Sequence, residues 1–122
     1  MRLFDSHCHL NDQSFRGDFA QVMQRMADAG VAAAMLAGIN REDSAAAVRL
    51  AASHPGLYCS VGVHPHDAEA CSEETLLALK ELAGHPKVHA WGEIGLDFNR
   101  MYSPRKSQER WFLRQLETAD QL

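Results

Sequence analysis

Four apolar runs of strand length alternate with four amphipathic stretches, and this order restricts the fold more than any other feature of the chain. The runs are "RLFD" (2–5), "VAAAMLAG" (31–38), "LYCSVGV" (57–63) and one within "VHAWGEIGLD" (88–97). Between the first two, Phe19, Val22, Met23 and Met26 recur at i, i+3, i+4 and i+7 over residues 17–29. Gly30 follows, where a helix C-terminal glycine belongs. A second helix is expected over 41–53, with Ala45, Val48 and Ala52 on one face and His54-Pro55-Gly56 ending it. Ser72 with Glu73 and Glu74 forms a good N-terminus for a third, running through Leu76, Leu79 and Leu82 to Gly84. Ser103-Pro104 supplies the N-cap and first position of a fourth, carrying Trp111, Phe112, Leu116 and Ala119. The βαβαβαβα order, with no linker and no low-complexity segment, reads as one domain over 1–122 built on a parallel sheet. Strands that are apolar throughout suit a sheet covered on both faces. Two architectures remain: an open doubly wound sheet, or part of an eight-fold βα barrel.

Charge and composition exclude several function classes. The formal net charge is −4, and no basic block is longer than Arg105-Lys106. A nucleic acid partner would therefore have to be held by a local site rather than a broad basic face. Cys8, Cys59 and Cys71 are odd in number and irregularly spaced, which argues against a disulfide framework or structural zinc and for a reducing compartment. The four residues before Asp5 leave no room for a signal-peptide apolar region, and no run approaches the ~20 apolar residues of a membrane span. The expectation is a soluble, cytoplasmic protein with no membrane contact.

In parallel α/β folds, chemistry collects at the carboxyl ends of the strands. His7 and His9 follow the first strand, Asn40 the second, His64 and His66 the third, and Glu93 and Asp97 the fourth. Residues two apart on extended chain point to the same side, so His7 and His9 can converge on one ion while Cys8 faces away. Glu93 would add a carboxylate. Mixed imidazole and carboxylate ligation suits Zn, Mn or Fe, and Mg where carboxylate and water dominate. Three ligands with open positions describe a catalytic site better than a structural one.

Each element also has a plainer role open to it. His-x-His occurs by chance in loops, "GVHPH" can be a rigid turn set by Pro65, and Asp97 can cap the next segment. His54 and His85 precede prolines and read as solvated loop residues, while His89 lies in a strand and should pack or hydrogen-bond. Cys59, Trp91 and Trp111 read as core.

Together, "LFDSHCHLND", "GVHPH", "GEIGLDFNR" and "SPRKSQERWFLRQLETA" resemble, in order and spacing over the whole chain, the TatD family of metal-dependent deoxyribonucleases within the amidohydrolase-like superfamily. The resemblance implies a TIM-type (β/α)8 barrel carrying two divalent metal ions (Mg, Mn or Zn) at its carboxyl face. It implies a metal-activated water that hydrolyses DNA phosphodiesters, single-stranded or from 3′ ends, in the 3′-5′ direction. Residue by residue, His7 and His9 match ligands of one metal, and Glu93 matches the carboxylate bridging both. His64 and Asp97 fall in family motifs as groups that contact substrate or orient ligands.

A complete barrel of this type needs ~250 residues. The expectation is therefore the N-terminal half, four βα units, with two further histidines and a late aspartate of the family lying on strands outside this sequence. The site here would be partial, and the exposed half-barrel edges would drive self-association. Two alternatives accompany the nuclease reading: a catalytically incompetent half-barrel stabilised by self-association, or a metal-dependent hydrolase of another ester or amide.

Overall fold

The computed structural model describes all 122 residues. Four parallel strands, β1 (Leu3–Cys8), β2 (Val31–Leu36), β3 (Leu57–Val61) and β4 (Val88–Trp91), lie in the sheet in sequence order. Each is followed by a helix: α1 (Phe19–Asp28), α2 (Arg41–Ala52), α3 (Glu73–Ala83) and α4 (Arg105–Asp120). Short 3₁₀ turns at Gln13–Phe15 and Pro65–Ala70 precede α1 and α3. Strands that neighbour in strict order have no point at which the winding reverses, so the doubly wound alternative falls away. Four successive βα units of a TIM-type barrel remain.

The helix side of the sheet carries the core. Ala34 and Leu36 from β2 and Leu57, Cys59 and Val61 from β3 are fully buried against Ala47, Val48 and Ala51 of α2, Leu76 and Leu79 of α3, and Trp111 of α4. The other face is open. Phe4, Met35, Tyr58 and His89, one from each strand, line a hollow of about 350 Å³, where Tyr58 packs its ring against Phe4 and edge-on against His89. The apolar strands expected to be covered on both faces are thus covered on one. β1, at one sheet edge, is exposed along nearly all its length, with Leu3 at 42% and Phe4 at 52%.

Local chemistry sets most element ends. Gly30 takes φ +82°, the left-handed conformation that closes α1. Asn40 caps α2 by accepting from the Asp43 amide, and Asp43 in turn accepts from the Ile39 amide. Ser72 caps α3 by accepting from the Thr75 amide. Four sequence expectations shift. The buried face of α2 is Ser44, Ala47, Val48 and Ala51, while Ala52 is exposed. Ser103 does not cap α4, whose N-cap is Pro104; its buried hydroxyl turns away to donate to the His66 carbonyl (2.8 Å) and accept from the Glu69 amide (3.0 Å). The inner face of α4 is largely polar, with Gln108, Gln115 and Thr118 buried beside Trp111 and Leu116 exposed. His54 and His85 are half-buried rather than solvated: His54 Nδ1 meets the Leu50 carbonyl, and His85 Nδ1 accepts from the Lys87 amide.

At the carboxyl ends of β3 and β4 the two backbones come unusually close. A Cβ placed on Gly62 would sit 2.8 Å from the Gly92 carbonyl carbon and 2.9 Å from its oxygen. Backbone atoms cannot swing aside as a flexible side chain can, so this position requires glycine. Gly62→Ala should cost roughly 1–3 kcal/mol by forcing the strand ends apart. At Gly17, where an added Cβ meets nothing within 4 Å, alanine should be neutral or slightly stabilising. Urea unfolding of both variants checks this; equal stabilities would contradict the close approach.

Candidate metal centre

His7 lies near the end of β1 and His9 just past it, and the two-residue offset turns both imidazoles to one side. Cys8 between them points the other way, its thiol donating to the Met35 carbonyl at 3.4 Å, and burial pushes that thiol above its ordinary pKa. The His7 amide is held by Asp5 Oδ1 at 3.1 Å. Glu93 arrives from the end of β4. Its amide donates to the Gly38 carbonyl beyond β2 at 2.6 Å, so its backbone is fixed from two strands away.

The three side chains meet at their polar ends. His7 Nε2 and His9 Nε2 are 3.3 Å apart, and Glu93 Oε2 lies 3.2 Å from the first and 3.7 Å from the second. Donors held ~2.0–2.2 Å from one tetrahedral ion stand roughly 3.3–3.6 Å from each other. The observed separations fit a shared divalent cation, and the donor set of two imidazoles and a carboxylate has the chemistry for one.

The second carboxylate oxygen, Glu93 Oε1, faces His64 Nε2 at 3.4 Å. His64 Nδ1 accepts from the His66 amide at 3.0 Å, which also caps the 3₁₀ turn. In a neutral ring that acceptor role places the proton on Nε2, where it can point at the carboxylate. Burial lowers the His64 pKa, partly offset by the Glu93 charge, so the neutral form is favoured. His9, Ile39, His64, His66, Asp67 and Glu93 line a recess of about 340 Å³ at this end of the sheet.

Asp97 stands apart from the trio. Its Oδ2 contacts His66 Nε2 at 2.6 Å, and its Oδ1 accepts from the Asn99 and Arg100 amides at 3.0 Å each. The His66 hydrogen bond first, then these amides, hold the carboxyl well below the ordinary 3.8, down to about 2. His66 is a site residue that pattern reading named at a strand end but did not carry into the site, although it repeats the two-residue spacing of His7 and His9. Two buried glutamines were missed outright. Gln115 accepts from the Val63 amide (2.7 Å) and from Trp91 Nε1 (3.2 Å) and donates to the Val63 carbonyl (3.0 Å), bracing the loop that presents His64. Gln108 accepts from the Asp97 amide (2.8 Å) and donates to the carbonyls of Asp97 (3.0 Å) and Ser103 (2.8 Å). Behind His9, Asn11 donates to Asp43 (2.7 Å) and Asn40 to Asp67 (3.0 Å), joining the loops after β1, β2 and β3. Burial raises the Asp43 pKa against the pull of the Ile39 amide.

Histidines after β1 and β3 and a carboxylate after β4, gathered at the carboxyl end of a parallel sheet, make a βα-barrel scaffold with a cluster compatible with metal binding. The sequence matches the family of TatD-related DNases over residues 4–122, and the chain belongs to that family. It is 45% identical over 122 residues to a protein of Pantoea sp. (strain At-9b) described as a 3′-5′ ssDNA/RNA exonuclease TatD, covering 98% of this chain and 46% of that one. It is 43% identical to the protein of the same description from Dickeya dadantii, covering 96% and 45%. Among solved structures, YJJV, a TatD homologue from Escherichia coli K12, superimposes with a TM-score of 0.89 at 33% identity over 98% of this chain and 47% of that one. A TatD-family hydrolase protein from Entamoeba histolytica gives a TM-score of 0.89 at 24% identity, a likeness of fold, over 99% and 46%. The chain spans about half the length of the curated relatives it matches. No helix is long and apolar enough to cross a membrane.

Because the folded pKa of Asp97 is depressed, its contact with His66 contributes stability that is full above the unfolded value near 3.8 and is lost as pH falls through about 2. The stability difference between the wild type and Asp97→Asn should be constant above pH ~5 and shrink between pH ~4 and ~2. A difference that stays level across that window in acid denaturation would show that the pair is not formed.

Proposed function

We propose that residues 1–122 form one domain, the metal-binding N-terminal half of a divalent-metal-dependent hydrolase acting as a 3′-5′ exonuclease on single-stranded DNA. One observation carries this reading: the Glu93 carboxylate is shared, one oxygen turned to His7 and His9 and the other to His64. A carboxylate so placed could serve as a ligand for both of the divalent ions (Mg, Mn or Zn) that the family resemblance implies. When bound, such a pair supplies an activated water and neutralises charge on the attacking and leaving oxygens of a phosphodiester.

This chain's own residues have separate tasks. His7, His9 and Glu93 are the metal ligands proposed here. His64 orients Glu93 through its Nε2 proton, and burial, by lowering its pKa, favours the neutral ring that this role needs. His66, its Nε2 proton donated to a carboxylate that stays ionised far below neutrality, keeps a fixed ring at the rim of the recess. Asp97 is a positioning residue acting through His66. The names of the Pantoea and Dickeya relatives support a single-stranded nucleic acid substrate. The fold alone would leave the substrate open.

An incomplete ligand set and open edges also belong to this reading. β1 and β4 each flank the sheet with an unpaired edge, beside an apolar hollow. We propose that the chain alone covers them by pairing with a second copy.

Zinc titration calorimetry should show His9→Ala binding roughly 100-fold or more weaker than wild type. His64→Ala, which removes only an orienting partner, should bind roughly 10–100-fold weaker, and Cys8→Ala should bind unchanged. Equal affinity in His9→Ala would place the ion elsewhere. On the same preparation, sedimentation should give dimers or larger species. Cleavage of single-stranded DNA should be far slower than by a relative of full length, since the family's late aspartate, the general base the resemblance implies, is not among these residues and losing a general base alone costs ~10²–10⁴-fold. A monomer cleaving at the full-length rate would overturn the half-site reading.

A further inference from the structure

The loop from Gly92 to Pro104, beside the recess, holds a run of side chains that the metal site does not use. Leu96, Phe98, Met101 and Tyr102 are all large, apolar and exposed, at 44%, 43%, 45% and 66%. Four such residues within seven positions are an apolar patch that an ordinary solvated loop would not carry. The loop is nonetheless pinned. Gln108 holds Asp97 and Ser103 through three hydrogen bonds, Asp97 gathers the next turn through the Asn99 and Arg100 amides, and Ser103 ties the end to the His66 carbonyl. Met101 takes a left-handed φ of +51°, a conformation that costs a non-glycine residue energy and that turns the chain into Tyr102. The Tyr102 ring packs edge-to-face on His66, 4.7 Å between centroids at 84°, with most of its surface free.

Cations interleave with the rings. Arg100 extends past Asp97, its Nη1 3.6 Å from Oδ2, with a side chain 61% exposed, and the Arg105 guanidinium lies 4.7 Å above the Phe98 ring. Rings that offer open surfaces beside guanidinium groups are what sequence-neutral binding of single strands uses: bases stack on the aromatics and phosphates meet the cations. In a chain of net charge −4 with no basic face, a local site of this kind is where strand affinity can reside.

We propose that Tyr102 and Phe98 form a base-stacking shelf, with Arg100 as its phosphate contact, that receives the nucleotides adjoining the phosphodiester in the recess. The proposal rests on the nuclease reading and adds which residues hold the strand and by what force. Tyr102 is the principal stacking group because it abuts His66, which lines the recess itself.

The test measures binding in the presence of a chelator, so that no turnover is involved. Fluorescence anisotropy of the whole chain with a labelled oligo(dT), and with a strand of equal length made of abasic residues, separates base stacking from phosphate contact. Tyr102→Ala should weaken oligo(dT) binding roughly five-fold or more, the lower end of one lost base stack, and leave abasic-strand binding unchanged. Tyr102→Phe should restore it, Phe98→Ala should act like Tyr102→Ala to a lesser degree, and Arg100→Ala should weaken both strands and flatten the salt dependence. Circular dichroism melting confirms that each variant is folded. Equal oligo(dT) affinity in wild type and Tyr102→Ala overturns the shelf, as does an equal loss on both strands, which would mark a structural role. Absence of oligo(dT) binding by the wild type also overturns it. Failure of the nuclease reading shows separately, as strand binding that responds to Tyr102 but no cleavage on adding Mg²⁺ or Mn²⁺ to either this chain or a full-length relative.

Discussion

Everything at the carboxyl end of the sheet depends on how closely the backbones of β3 and β4 approach there. Gly62 lets the Gly92 peptide occupy the space that a Cβ would fill, and the next residue's amide, that of Glu93, donates to the Gly38 carbonyl. Here the backbone is tied to a strand two places away, so the Glu93 side chain reaches the β1 histidines with little freedom left to lose. Ligand positioning of this kind stabilises a bound ion because the ordering has already been met in folding.

The same end of the sheet divides into two charge systems. One is the His7, His9 and Glu93 trio, half open to solvent and linked to His64 through the second carboxylate oxygen. The other is the His66 and Asp97 pair, less exposed and closely bonded. Keeping Asp97 off the trio prevents two carboxylates from competing for the same imidazoles. α4 enforces the division: Gln108 holds Asp97 on one side, and seven residues on, two helical turns along the same face, Gln115 holds the Val63 peptide that leads to His64. A buried amide can stand in for a neighbouring strand's peptide, donating and accepting at once, which is why an inner helix face is polar where an apolar one would leave loop backbone groups unpaired.

Much of this was legible in the letters. Apolar runs bounded by Gly, Pro and capping residues marked the four βα units, and the two-residue spacing of His7 and His9 marked a shared direction, because both signals are local. The alternation alone left the doubly wound alternative open, since strand order is a long-range property and both folds share that alternation; the resemblance of the strand-end motifs to the TatD family chose the barrel, and the strand order agrees. Glu93 was read as the carboxylate that joins His7 and His9, and it does meet them; what was not legible is the glycine contact between two strands that fixes its backbone. α4 was read as an apolar-faced helix from Trp111, Phe112 and Leu116, whereas its inner face follows Gln108, Trp111, Gln115 and Thr118. Hydrophobic periodicity looks for oil and overlooks amides that serve loops. Ser103 was misplaced for the same reason: a serine before a proline is a good cap locally, and only the packed turn at Pro65–Ala70 claims its hydroxyl.

The central claim, that His7, His9 and Glu93 share one ion, is tested most directly by X-ray absorption at the zinc edge on the chain loaded with a single equivalent of Zn²⁺. The expected spectrum has a shell of nitrogen and oxygen only, with the outer-shell scattering of two imidazoles, one of which disappears in His9→Ala. A sulfur shell from any of the three cysteines, or an imidazole count that His9→Ala leaves unchanged, would contradict it.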